Sequence, residues 1–174
     1  MSDIYFGDTT LRDGPNSLWA QGMRTGMMLP VAEAMDNMGF ESMELECGVS
    51  KKIVRELKED PWERLRLVSN KITKTPLRGI CSRSFNAFGM APNSLYQLWM
   101  ELNKRNGLSQ MRMSDPSNDS SGWADKSKIA HEAGLDVILN IIFSISPKHT
   151  DEYFAEKARA VASLGVYRIC FKDP

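Results

Sequence analysis

The chain has 174 residues, enough to bury a sizeable single core, and its 22 basic and 22 acidic side chains cancel. That balance gives no long-range field for nucleic acid or an anionic membrane, and no dense run of Lys and Arg supplies one locally. Hydrophobic residues make up 42% of the chain, yet no apolar run reaches bilayer length, and the first residues lack the basic and apolar regions of a signal peptide.

Cys47, Cys81 and Cys170 are odd in number, far apart and set among apolar residues. They are expected to be buried free thiols in a reducing cytoplasm rather than partners in disulfides.

Taken in order, the chain begins with a short strand near 4–8 and a helical stretch near 24–38. Pro30 falls inside that stretch and predicts a late start or a kink. A strand near 41–46 and a helix near 50–68 follow, then a strand near 77–83 and a helix near 93–106. A strand near 109–114 leads through the polar segment 114–122, rich in helix-capping residues, to a helix near 123–133. The last elements are a strand near 136–144, a helix near 150–164 and a strand near 167–172.

One local device recurs through this series. Met38-Gly39-Phe40, Asn106-Gly107-Leu108, Ala133-Gly134-Leu135 and Leu164-Gly165-Val166 each end a helical stretch and precede a short apolar run. Glycine just past a helix closes the last turn in a left-handed conformation, and the run that follows is too short for anything but a strand. Serial units of this kind predict parallel strands joined by right-handed crossovers, in an open doubly wound sheet or a barrel. No linker divides the chain, so one domain over 1–174 is expected.

In either architecture the loops after the strands form the functional face. Asp8, Arg12, Asp13 and Asn16 follow the first strand, and Glu44 and Glu46 lie on the second. Arg83 and Asn86 follow the third, and Arg112, Asp115 and Asn118 the fourth. Ser144, Ser146 and His149 follow the fifth, and Lys172 and Asp173 the sixth. Converging charges of this type can hold a metal ion and an anionic substrate.

Plainer readings stand beside these. Arg12 and Asp13 form a local ion pair or a turn device, Glu44 and Glu46 a solvated or helix-facing pair, Arg83 and Arg112 salt-bridged strand ends, and Lys172 a solvated cation. The eleven methionines fall at near-helical spacing and read as core filler, and His131 reads as structural. There is no phosphate-cradling glycine loop, no Gly-x-Ser-x-Gly elbow, no zinc-type Cys/His cluster and no basic–aromatic stripe.

The segment Phe6-Gly7-Asp8-Thr9-Thr10-Leu11-Arg12-Asp13-Gly14-Pro15-Asn16-Ser17 resembles a superfamily of metal-dependent (β/α) barrels. It includes hydroxymethylglutaryl-CoA lyase, isopropylmalate synthase, and the carboxyltransferase domains of pyruvate carboxylase and oxaloacetate decarboxylase. The carboxyltransferase branch is the most similar. Glu59-Asp60-Pro61-Trp62-Glu63-Arg64-Leu65, the stretch from Met111 to Asp119, and Cys170-Phe171-Lys172-Asp173 also resemble that branch, in the same order.

The resemblance implies an α/β fold, a (β/α)8 TIM barrel of which this chain supplies about the first six units. It also implies a lyase or carboxyltransferase-like enzyme that works through the enolate of a small carboxylic or keto acid. Asp13 and Lys172 would be ligands of a divalent metal (Mn, Zn or Co), with Lys172 carbamylated. Arg12 would stabilise the enolate oxygen and Glu44 would support Arg12. Arg83 and Asn16 would bind substrate, and biotin dependence is left open.

Departures from the branch are specific. Pro15-Asn16 stands where the carboxyltransferases have His-Gln, and their downstream His-x-His metal pair has no counterpart before Pro174. The expectation is therefore a truncated or split barrel, completed by another copy in an oligomer or by a complementing chain. The alternative is a non-catalytic partial barrel that serves as a subunit. The partner implied is a small carboxylate or acyl substrate, with no nucleic acid and no membrane.

Overall fold

The computed structural model describes residues 4–45, 52–82 and 91–173. Cys47, Glu46, Arg83 and Asn86 lie outside the described residues. Six strands alternate with helices: β1 Gly7–Asp8, β2 Ser42–Glu44, β3 Leu77–Ser82, β4 Gln110–Ser114, β5 Asp136–Ile142 and β6 Arg168–Lys172. They follow chain order in one sheet, and the pairings β1–β2, β2–β3, β4–β5 and β5–β6 are parallel. This is the strand order of the first six units of a (β/α)8 barrel. An open doubly wound sheet would have reversed direction at a switch point.

The helices are α1 Asp13–Trp19, α2 Thr25–Asp36, α3 Pro61–Ser69, α4 Asn93–Arg105, α5 Trp123–Glu132 and α6 Asp151–Ala162. All four glycines of the recurrent device take positive φ, with Gly39 at 77°, Gly107 at 113°, Gly134 at 77° and Gly165 at 66°. Gly107 is doubly constrained, because a Cβ there would collide with the Ser69 side chain.

Contacts gather into two compact units, Met1–Ile80 with Leu102–Ser109, and Cys81–Glu101 with Gln110–Pro174. In the first unit, Leu11, Met28, Met43, Leu65 and Val68 are buried. In the second, Met111, Val137, Leu139, Ile141, Trp123 and Val161 are buried. Each such side chain contributes about 1.5–3 kcal/mol by leaving water.

Several expectations are corrected. The stretch 50–68 is not one helix: Lys52–Leu57 forms a π-helical segment, Lys58 takes φ 57°, and α3 starts afresh at Pro61. Asp60 accepts the Trp62 N–H at 2.8 Å, so Asp60-Pro61 is a cap followed by a proline at the first helical position. The helix α1 was not expected, since its seven residues carry no apolar period.

The first strand is shorter than 4–8, with Ile4, Tyr5 and Phe6 exposed. Pro30 neither delays α2 nor ends it. Met27 and Met38 are exposed rather than core filler, and Cys170 is only partly buried, whereas Cys81 is buried as expected.

Candidate active site

In the first unit, the turn after β1 positions the candidate residues. Asp8 accepts both the N–H and the hydroxyl of Thr10, at 3.0 and 2.7 Å, which closes the chain on itself as it leaves the strand. The carbonyl of Thr9 then accepts the N–H groups of Arg12 and Asp13, at 3.1 and 2.8 Å, and α1 begins. Asp8 is thus a support of the turn.

Arg12 donates from Nε and Nη2 to Oε2 of Glu44, at 3.0 and 2.6 Å, and from Nη1 to Oδ1 of Asp13 at 2.7 Å. The Arg12 and Glu44 side chains are only 10% and 5% exposed, whereas Asp13 is 57% exposed. Burying a carboxylate on a strand is costly unless a charge partner comes with it, and here the partner is Arg12. Three of the five guanidinium N–H donors are thereby used, leaving two for a further acceptor. The plainer reading of Arg12 and Asp13 as a local ion pair holds, and the pair lies beside the buried carboxylate of Glu44.

Asn16 sits on α1 and lines a small void of about 10 Å³ with Arg12, Arg64 and Met28. Its Oδ1 is buried without a hydrogen-bond partner among the described residues. A void of that size is about what one water needs.

Beneath this group, the segment from Glu59 to Arg64 braces α2. Oε2 of Glu59 accepts from the N–H and hydroxyl of Thr25 at 3.0 and 2.6 Å, and from Arg64 Nη2 at 2.8 Å. Burial alone would raise this carboxyl, but bonds from Arg64 and Thr25 outweigh it and hold Glu59 down at about 2. Asp36, at the other end of α2, receives the backbone N–H groups of Thr73, Lys74 and Thr75. Those bonds overcome its burial and place it at about 2 as well.

In the second unit, β4 ends at Ser114 and its loop folds through two side-chain turns. Asp115 accepts from the N–H and hydroxyl of Ser117, and Asp119 accepts from those of Ser121. Asn118, at φ 51°, donates from Nδ2 to the Ile142 carbonyl at 2.7 Å and accepts the Ile142 N–H at 2.8 Å. The loop after β4 is thus tied to the end of β5. Sequence reasoning missed this tie, and its one signal was an asparagine in a loop rich in turn residues.

Lys172 ends β6 opposite Ile142, and no side-chain hydrogen bond or ion pair of its ammonium is found among the described residues. Arg112 is buried on β4. His149 stacks on Phe154, and its Nδ1 lies 2.7 Å from the Ser146 hydroxyl, an arrangement that orders the loop after β5.

The structure therefore brings Arg12, Asp13, Glu44 and Asn16 together in the first unit and places Lys172 in the second. Among the described residues, no three His, Cys, Asp or Glu side chains gather where they could hold a metal ion. Asp13 offers one ready carboxylate, and Lys172 as an ammonium is a donor rather than a ligand. The described residues do not by themselves complete a metal site.

Nor is any helix among the described residues long and apolar enough to cross a membrane.

No protein-family model matches the chain. A pyruvate carboxylase subunit of Methanocaldococcus jannaschii is 38% identical over 169 residues, which are 95% of this chain and 30% of that protein. The 2-oxoglutarate carboxylase large subunit of Hydrogenobacter thermophilus is 35% identical over 173 residues, 98% of this chain and 26% of that protein. Among solved structures, the carboxyl transferase domain from Rhizobium etli pyruvate carboxylase with pyruvate matches at TM-score 0.88 and 25% identity. That match covers 99% of this chain and 31% of the other. The chain thus spans about a third or less of each relative, and over that span it belongs to the family of these carboxylase subunits and the pyruvate carboxylase carboxyl transferase domain.

Proposed function

We propose that this chain is part of a carboxyltransferase that moves a carboxyl group to or from the carbon beside a carbonyl in a small keto acid. The observation that carries the reading is the buried Arg12–Glu44 pair with Asp13 at its edge, in a chain related to carboxylase subunits. Removing a proton or a carboxyl group from that carbon puts negative charge on the carbonyl oxygen. The two uncommitted N–H donors of Arg12 are suited to receive it, and Glu44 keeps the guanidinium from turning away. Asn16 and Arg83 are proposed to bind the substrate carboxylate or its neighbouring oxygen.

A divalent metal (Mn, Zn or Co) is proposed to be held by Asp13 and a carbamylated Lys172, with further ligands from outside the described residues. When bound, it would polarise the same carbonyl oxygen. The carboxyl donor is a candidate biotin carrier, because a relative of the same fold was solved with pyruvate and biocytin. A lyase activity would be the reverse, bond-cleaving direction through the same enolate. We further propose that residues 1–174 act as one partial barrel domain, in the cytoplasm, in an oligomer or with a complementing chain.

The test is Asp13→Ala in the protein supplied with Mn²⁺, Zn²⁺ or Co²⁺, with bound metal and carboxyl transfer both measured. Loss of both is expected, and unchanged transfer would refute the assignment. A second reading, a non-catalytic barrel subunit, is favoured by the lack of a three-ligand cluster among the described residues. Consistent absence of stoichiometric metal from the wild-type protein would select it.

A further inference from the structure

A second buried arginine, Arg64, lies beside the Arg12 group in the first compact unit. It stands on α3, and its side chain is only 2% exposed. Nε donates to the Thr25 hydroxyl at 3.0 Å, and Nη2 donates to the Met23 carbonyl at 3.0 Å and to Oε2 of Glu59 at 2.8 Å. One guanidinium thus ties α3 to the first residue of α2 and to the link between α1 and α2. The two N–H donors of Nη1 have no acceptor among the described residues.

Arg64 and Arg12 line the same small void, and so does Asn16, whose buried Oδ1 has no hydrogen-bond partner among the described residues. Native proteins rarely leave such an acceptor unmet. Turned the other way, the Asn16 amide would aim its N–H groups at two guanidiniums, so the oxygen takes the inner place. The void, about 10 Å³, has room for one water and little else. Arg12 is already paired with Glu44 and Arg64 with Glu59, so the void calls for no anion. An anion also has no hydrogen to give to Oδ1, whereas a water can give one and accept from Nη1.

We propose that one ordered water joins Oδ1 of Asn16 to Nη1 of Arg64, and that Arg64 is thereby a positioning residue for the Asn16 amide. The amide is planar, so fixing its oxygen also fixes the direction of its N–H donors. Those donors are the end suited to the oxygens of a keto acid. Through the water, α3 and the start of α2 set the aim of a side chain on α1. The choice of a keto acid as ligand rests on the carboxyl-transfer reading, and the water link does not.

The test has two arms, both on the full chain. A crystal structure at about 1.5 Å should show one water about 2.7–3.2 Å from both Asn16 Oδ1 and Arg64 Nη1. In the second arm, pyruvate affinity and urea midpoint are measured for wild type, Arg64→Lys, Asn16→Leu and the double variant. Lysine keeps a charge beside Glu59 and gives up the fork. Each single change should weaken pyruvate binding about tenfold, and the double variant should be no weaker than the worse single one. An arginine that only braces α2 would instead give losses that multiply.

An empty void, a direct bond from either arginine to Oδ1, a peak that bromide soaking replaces, or losses that multiply would each overturn the proposal. Should Arg64→Lys fail to fold, the wild-type density decides alone. If the wild type binds no pyruvate, the proposed function is lost and the same cycle read in urea midpoints decides this inference. Shifts that fail to add would uphold the water link, and shifts that add would overturn it. A protein that transfers a carboxyl group yet shows no water would sink this inference alone.

Discussion

Arg12 and Lys172 are both cations placed just after or at the end of a strand, one in each compact unit, and their surroundings are opposites. Arg12 is wired in advance: Glu44 takes two of its donors and Asp13 a third, and the Arg12–Glu44 pair is almost fully buried. Lys172 has no side-chain hydrogen bond or ion pair among the described residues. A charge that is paired before any ligand arrives can keep its direction while the reaction develops. The first cation is held in one direction by its partners, and the second is not.

The largest expected effect comes from breaking the wired region. Arg12→Ala takes the guanidinium from buried Glu44 and should cost about 3–5 kcal/mol in urea unfolding, with loss of turnover. Arg12→Lys should recover part of the stability but not the turnover, because an ammonium cannot reproduce the fork that meets both Glu44 and Asp13. Recovery of both would mean that charge alone matters, and the contrast with Lys172 would lose its basis.

Next in size is the acid response of the first unit. Glu59 falls from its ordinary 4.5 to about 2 on folding, and Asp36 from 3.8 to about 2. Between those values the unfolded chain binds protons that the folded chain does not, so stability declines as pH falls from about 4.5 towards 2. Each group should contribute on the order of 2 kcal/mol, lost over that window. Glu59→Gln should flatten its share of the curve, as read by denaturant melts at successive pH values.

A similar loss, about 1–3 kcal/mol, is expected of Asn118→Ala in the second unit. That change strips the Ile142 N–H and carbonyl of their side-chain partner and puts alanine at φ 51°. Asn118→Gly should relieve the backbone part alone, and equal losses for the two variants would show that the hydrogen bonds dominate. The smallest effect belongs to Lys172→Met, which should shift stability by no more than about 0.5 kcal/mol while impairing function. A large loss there would mean that Lys172 has a structural partner, and would erase the difference from Arg12.

The order of strands and helices was legible because the left-handed glycines punctuate it, and Gly39, Gly107, Gly134 and Gly165 all take the predicted conformation. The cap at Asp60-Pro61 was just as explicit in sequence, but an apolar pattern running across it made two elements read as one. The short helix α1 left no periodic signal, and the exposure of Met27 and Met38 shows that helical spacing does not by itself choose the buried side. In the site, the resemblance of the opening segment pointed to Arg12, Asp13 and Glu44, and geometry adds that one carboxylate is buried and the other open. The role of Asn118 was not legible, because it depends on a tie between the loop after β4 and the end of β5 that no local pattern encodes.

The central claim is that the Arg12–Asp13 group manages charge on a carbonyl oxygen. Exchange of the methyl protons of pyruvate with heavy water, followed by NMR, reads that event without needing a carboxyl donor. With Mn²⁺, Zn²⁺ or Co²⁺ supplied, the wild-type protein should exchange them, while Asp13→Ala and Arg12→Lys should each fall at least about a hundredfold, the scale of a lost oxyanion contact. Exchange at the wild-type rate in both variants would contradict the account.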